Sequence, residues 1–307
     1  RIGFESPKTP TMTYEYNLKS KEKKLVKEQE IPSGHNRDDY IVERLNCLSH
    51  DGRQIPITIT YHKKTKLDGS ANLLLYGYGS YGSSMMPTFS SSRLSLINRD
   101  VIWATCHIRG GMERGMKWWQ EGKMLNKKNT FKDFINCAKF LIKEKYTSEK
   151  KIIAYGGSAG GLLIGAVINK APEIFLGAIL AVPFVDNLTT NMDHSLPLSK
   201  GELLEFADAK GNKEHFEYIR SYAPYDNIEK KDYPHILITT SLSDSRVLFD
   251  EPTKYCAKLR DYKTDNNLLL LKCEMDAGHG SRSGRKNIIE DVAFDYSFAL
   301  KISEKLG

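Results

Sequence analysis

Residues 151–161 constrain the chain more than any other stretch. The apolar run Lys151-Ile152-Ile153-Ala154-Tyr155 leads into Gly156-Gly157-Ser158-Ala159-Gly160-Gly161, and Leu162-Leu163-Ile164-Gly165-Ala166-Val167-Ile168 leads out. The order predicts a strand that turns sharply into a helix. Gly156-x-Ser158-x-Gly160 is the spacing of a nucleophile elbow. Such a turn crowds any side chain at x, so small residues fill it. It lifts the serine oxygen above the sheet edge and aims a helix start at whatever the serine attacks.

An elbow needs a sheet behind it, and the sequence supplies one. Expected strands are Asn72–Tyr76, Val101–His107, Lys151–Tyr155, Ala178–Val182, His235–Thr239 and Leu268–Lys272. Expected helices are Phe131–Lys145, Gly160–Lys170, Lys213–Ser221, Pro252–Lys263 and Asn287–Lys305. This alternation predicts an α/β fold, a mostly parallel sheet with helices on both faces. Ile41–Leu48 and Ile55–Tyr61 read as antiparallel strands around the turn Asp51-Gly52. Upstream, Thr11–Leu18 alternates with Met12, Tyr14, Tyr16 and Leu18 on one face, and Lys24–Gln29 follows. The pair reads as a lone hairpin, which is marginal in water without a sheet to join. Ile31–Gly34 reads as a linker.

Bulk properties narrow the class. The chain has 307 residues, 40% hydrophobic and 27% charged, as in ordinary globular proteins. The net charge is +7, but the lysines are scattered. The densest run, Lys21–Lys27, has no aromatic or glycine-rich recognition motif and reads as a solvated loop rather than a nucleic-acid patch. No apolar run reaches the ~20 residues of a membrane span, and no signal peptide is visible. The first residue is Arg rather than Met, which suggests a fragment or a processed chain. Cys47, Cys106, Cys137, Cys256 and Cys273 are odd in number and widely spaced. That pattern fits the reducing cytoplasm and argues against a disulfide framework or a zinc site. No cofactor or metal is called for.

A serine hydroxyl needs a base within reach, and the base needs an orienting acid. Two later strand ends offer them. Asp244-Ser245-Arg246 follows the strand at 235–239, and Asp276-Ala277-Gly278-His279-Gly280 follows the strand at 268–272. The order Ser158, Asp244, His279 is that of α/β-hydrolases. Asp250 and Asp261 sit in helical pattern, and His107 and His194 fit the base position less well. The oxyanion that forms needs two donors. The Ala159 amide is one by the geometry of the elbow. The other should come from Tyr76-Gly77-Tyr78-Gly79-Ser80-Tyr81-Gly82.

These motifs, with His107-Ile108-Arg109-Gly110-Gly111, Lys127–Phe131 and Gly278-His279-Gly280, together resemble the prolyl oligopeptidase family of serine peptidases. Thr190, Pro197-Leu198, Gly201-Glu202 and Ser221–Asn227 are similar to its oligopeptidase B branch. The resemblance covers Tyr40 to Leu300. It implies an α/β-hydrolase domain with Ser158 as nucleophile, His279 as base and Asp244 as orienting acid. It implies the Tyr78 phenol as second oxyanion donor and Arg246 as a holder of the substrate backbone. Arg109 and Lys127–Phe131 match positions read as structural. It further implies cleavage of short peptides after Arg or Lys, with Glu202 in the P1 pocket. Glu205, three residues on, could share its helix face. Leu204 replaces a further glutamate of some members, and Met86 and Thr88 replace paired aspartates, so a dibasic preference is not implied.

The family also carries a β-propeller ahead of this domain. Residues 1–35 are therefore expected to be the propeller's last strands and a linker, and residues 36–307 the catalytic domain. Two other readings of the same residues are an esterase or thioesterase using the same triad, and a catalytically idle binding scaffold.

Overall fold

Three strands open the chain: β1 (Ile2–Ser6), β2 (Thr9–Tyr16) and β3 (Lys23–Glu28) form a separate antiparallel sheet in the order β1-β2-β3. The expected lone hairpin is thus corrected: β1 pairs with β2 and supplies a third strand. Every residue of β3 is exposed. Most of the lysine run, Lys23–Lys27, lies in this strand rather than in a loop, and its charges suit an unpaired edge.

The computed structural model describes residues 1–196, 198–280 and 282–304. After the small sheet come β4 (Tyr40–Leu48), β5 (Gln54–His62), β6 (Asn72–Tyr76), α1 (Arg93–Ile97), β7 (Val101–Cys106), α2 (Met116–Gln120), α3 (Lys128–Lys143), β8 (Ile152–Gly157), α4 (Ala159–Lys170) and β9 (Phe175–Ala181). The chain continues through α5 (Asn187–Met192), α6 (Ser199–Phe206), α7 (Lys213–Arg220), β10 (His235–Ser241), α8 (Asp250–Tyr262), β11 (Leu269–Glu274) and α9 (Arg285–Ile302). The expectation of helix out to Lys305 ends on a residue outside those described.

The large sheet has the order β11-β10-β9-β8-β6-β7-β5-β4. It is parallel from β11 to β7, and β5 and β4 add antiparallel strands at one edge. Both faces are buried, and the strands show it residue by residue. Leu73 and Leu75 of β6 enter one core with α3, α4 and α8. Leu74 between them enters the opposite core with α1 and α9. Ile153 of β8 and Leu237 of β10 likewise point to the α9 side. A period of two with apolar residues on both faces is what a covered parallel sheet requires.

β6 sends its connection to β7 on one side, while β8 lies on its other side. The strand order therefore switches at the carboxyl ends of β6 and β8, where open α/β sheets form their crevice. The loops bearing Tyr78 and Ser158 leave from these two ends.

Arg109 pins the adjoining loop from below, in the structural position the sequence assigned to it. It is 1% exposed. Its Nε donates to Asp133 Oδ2 at 2.8 Å and its Nη2 to Asp133 Oδ1 at 2.6 Å, with Asp51 as a second partner. Arg109→Ala leaves the fully buried Asp133 carboxylate without its cation, a loss of about 3–5 kcal/mol. Urea denaturation should show a correspondingly lower midpoint; a change under about 1 kcal/mol would mean that the pair carries little of the fold.

Candidate active site

The elbow forms as its sequence requires. Ser158 has φ 56° and ψ −122°, a conformation that costs a non-glycine residue roughly 1–3 kcal/mol. Four backbone bonds hold it there. The Ser158 amide donates to Ala181 O at 2.8 Å, and the Ser158 carbonyl accepts from Gly161 N (2.8 Å), Phe184 N (3.0 Å) and Leu162 N (3.2 Å). Helix and strand then approach very closely. A Cβ on Gly156 would lie 2.3 Å from the Gly160 carbonyl oxygen, and one on Gly161 would lie 2.3 Å from Pro183 Cβ. Only glycine fits at either place.

Three strand ends converge on this turn. His279, on the loop after β11, places Nε2 3.0 Å from Ser158 Oγ. Its Nδ1 lies 2.8 Å from Asp244 Oδ2, on the loop after β10. The other carboxylate oxygen of Asp244 accepts from the amides of Arg246 (2.9 Å) and Val247 (3.0 Å). These bonds fix the carboxylate plane, which in turn orients the imidazole. Asp250 lies in α8. His107 is buried with Nε2 2.8 Å from Thr58 Oγ1, away from this chain of bonds.

A cleft of about 360 Å³ adjoins Ser158, and Tyr78, Tyr81, Thr190, Glu202 and Arg246 are among its walls. The Tyr78 ring lies against the elbow: a Cβ on Gly160 would meet Tyr78 Cδ2 at 3.2 Å. Burial pushes the Tyr78 phenol up to about 12, with Glu202 and Glu205 adding to the rise and the Ser158 side chain opposing it. It therefore stays a hydrogen donor at neutral pH. The Ala159 amide, in the first turn of α4, has no partner within the helix. Arg246 is exposed at the rim.

Glu202 and Glu205 have different fates. Glu202 lines the cleft and is buried there; Tyr81 donates to its Oε2 at 2.7 Å. Burial raises its carboxyl above the ordinary range, and the Tyr81 hydrogen bond opposes that rise. The expectation that Glu205 also faces a ligand is corrected. Its Oε1 is 3.1 Å from Lys127 Nζ, and its Oε2 accepts from Trp119 Nε1 at 2.8 Å, so both oxygens are spent inside the protein. Lys127 Nζ also donates to Gly79 O (2.7 Å) and Ser80 Oγ (2.6 Å), so the ion pair braces the Tyr78 loop. Sequence reasoning missed Tyr81 as the partner of Glu202. Its only signal was its place in the glycine-rich loop, where packing is an equal explanation. Leu204 is largely exposed, as is Met86. Pro197 lies outside the described residues.

Behind Thr190, the Glu251 carboxylate accepts from the Thr190 hydroxyl at 2.5 Å and the Asp186 amide at 3.0 Å. Burial pushes its carboxyl up from an ordinary 4.5 to about 7. The folded state thus keeps a proton that the unfolded chain loses above about 4.5, so stability falls as pH rises between these values. Across that window the thermal midpoint of Glu251→Gln should fall less steeply than that of the wild type; parallel slopes would contradict the assignment.

A model of the prolyl oligopeptidase family matches residues 87–305. The chain is 45% identical over 306 residues to Protease 2 of Moraxella lacunata, covering 100% of this chain and 44% of that protein. It is 43% identical over 301 residues to dipeptidyl aminopeptidase BI of Pseudoxanthomonas mexicana, covering 98% and 41%. Oligopeptidase B from Leishmania major superposes with a TM-score of 0.95 at 39% identity, over 99% of this chain and 42% of that one. Oligopeptidase B from Trypanosoma brucei, solved with covalently bound antipain, gives 0.94 at 40% identity, over 98% and 42%. The chain spans under half the length of these proteins.

Proposed function

The chain belongs to the prolyl oligopeptidase family, and from that premise we propose that it is the catalytic portion of a serine oligopeptidase cleaving short peptides after arginine or lysine. The hydrogen-bonded series Ser158–His279–Asp244 carries the reading, because it meets the geometric requirement for an activated serine. The covalent adduct of the Trypanosoma brucei neighbour supports a covalent step.

In the proposed mechanism His279 Nε2 takes the Ser158 proton as Oγ attacks the scissile carbonyl. The Tyr78 hydroxyl and the Ala159 amide stabilise the oxyanion. His279 then passes the proton to the leaving amine, and the acyl-enzyme remains on Ser158. Water, deprotonated by His279, releases the acid. Asp244 keeps Nε2 directed at Ser158 and stabilises the imidazolium. Glu202 receives the P1 cation, and Tyr81 holds the carboxylate ready for it. A guanidinium in such a site needs an ionised acceptor. Arg246, at the rim, donates to the substrate backbone.

The domain division is part of this proposal. The three-stranded sheet exposes Ile2, Phe4, Leu25 and Val26. We assign residues 1–35 to the end of a β-propeller and a linker, and the exposed side chains to contacts with that propeller. The greater length of the relatives supports this. We assign a cytoplasmic location on the free state of all five cysteines, four of them buried. Among the described residues no helix is long and apolar enough to cross a membrane.

Steady-state assays of the full-length protein test the reading. Ser158→Ala should abolish turnover of an arginyl amide. Glu202→Gln should raise KM for arginyl and lysyl substrates by roughly 100-fold or more, the cost of an unpaired buried charge, and spare a norleucyl one. An intact Arg/Lys preference in that variant would remove Glu202 from the pocket. Because burial raises the Glu202 carboxyl, KM for arginyl substrates should climb on acidification before the free glutamate range near 4.3 is reached. The norleucyl KM should stay level over the same interval.

A further inference from the structure

We propose that Arg282 is a positioning residue for His279, acting as an ionic clamp that sets where the imidazole stands; the proposal rests on the reading of His279 as the base. The loop that carries His279 has little apolar hold on the domain. Among the described residues of 275–284 only Ala277 is buried. A cavity of about 140 Å³ lies beside His279 and Gly280, walled by Ala181, Val182, Thr240, Asp291 and Asp295 among others. Ser158 is not among its walls. The imidazole therefore has open space along one side, and Gly280 has room for a Cβ that would touch nothing within 4 Å. Packing cannot fix a loop of this kind; its two ends must.

The first end is tied by backbone bonds to the Asp244 loop. Leu242 N donates to Glu274 O at 2.8 Å, and Ser243 N donates to Ala277 O at 3.3 Å. The second end is tied by Arg282. Its Nη2 donates to Asp291 Oδ1 at 3.0 Å and to Glu290 Oε2 at 3.1 Å, and its backbone amide donates to Asp291 Oδ2 at 3.3 Å. Its Nε faces Glu274 Oε2 at 3.8 Å. Lys272 joins the same carboxylates, Glu274 and Asp291. One guanidinium thus links the far end of the His279 loop to β11 behind it and to the first turns of α9. A planar fork satisfies several carboxylates at fixed angles, which a point charge does not. The lattice is partly exposed, with Arg282 at 26% and Asp291 at 18%, so salt can reach it.

The test compares Arg282→Ala, Arg282→Lys and Lys286→Ala with wild type in the full-length protein, by kinetics and by hydrogen exchange of peptides spanning 276–284. Lys286 pairs with Glu290 from within α9 and is 88% exposed. A ring displaced by ~1 Å costs up to about 100-fold. Arg282→Ala should therefore lower kcat by roughly 10- to 100-fold with KM within about 2-fold, and should speed exchange in 276–284 but not in α4. Arg282→Lys should recover part of the loss, and Lys286→Ala should match wild type in both readouts. Salt at 1 M, where the screening length is ~3 Å, should lower wild-type kcat and leave Arg282→Ala unmoved. Unchanged exchange in Arg282→Ala overturns the clamp whether or not the protein is active. Faster exchange with unchanged kcat overturns the positioning role. A wild type inactive on every peptide would count against the peptidase reading, and the exchange result would still decide the clamp.

Discussion

The close approach of α4 to β8 at Gly156 and Gly160, and to the loop after β9 at Gly161, is what everything else is measured from. The backbone there is so close that a single added methyl group would collide with a carbonyl or with Pro183. That closeness forces Ser158 into its unusual dihedral angles, and four backbone hydrogen bonds keep it there. The strain has a use. It stands the hydroxyl at the sheet edge, where loops from β6, β10 and β11 can reach it. It also leaves the first amides of α4 directed at the same point. Had the turn relaxed, the serine would fall back against the sheet, and neither His279 nor Tyr78 would meet it.

Support for the site is built mostly from buried ionic groups, each with a distinct task. Arg109 with Asp133 and Asp51 holds one loop. Lys127 with Glu205 holds the Tyr78 loop. Pairs of this kind are poor sources of net stability, because desolvation cancels much of their attraction. They do fix geometry, since each donor and acceptor has one satisfactory arrangement. Glu202 is different in kind. It is buried beside the cleft with a neutral tyrosine as its hydrogen-bond donor, so a cation brought by a substrate would find an acceptor already in place.

Much of this was legible in the sequence, for physical reasons. The central strands are short apolar runs bounded by turns, and burial on both faces makes such runs conspicuous. The order of Ser158, Asp244 and His279 was readable because each follows a strand. The short helices α1, α2 and α5 were not, because tertiary contacts rather than helical periodicity hold them. Thr190 of α5 is tied to Glu251 of α8, and Glu205 of α6 to Lys127. Glu205 misled for a related reason: three residues of spacing put it near Glu202 on a helix, but not which buried partner it would take. β1 went unseen because its five residues offer only Ile2 and Phe4 to carry an alternation.

The account stands on Ser158 being a nucleophile activated by His279 in a site that prefers a basic side chain. Mass spectrometry of the folded protein after treatment with an arginine-like aryl phosphonate ester and its norleucine counterpart tests this most directly. The account predicts a single adduct on Ser158, formed faster with the arginine-like reagent and lost in His279→Ala. No adduct on Ser158, or equal rates with the two reagents, would contradict it.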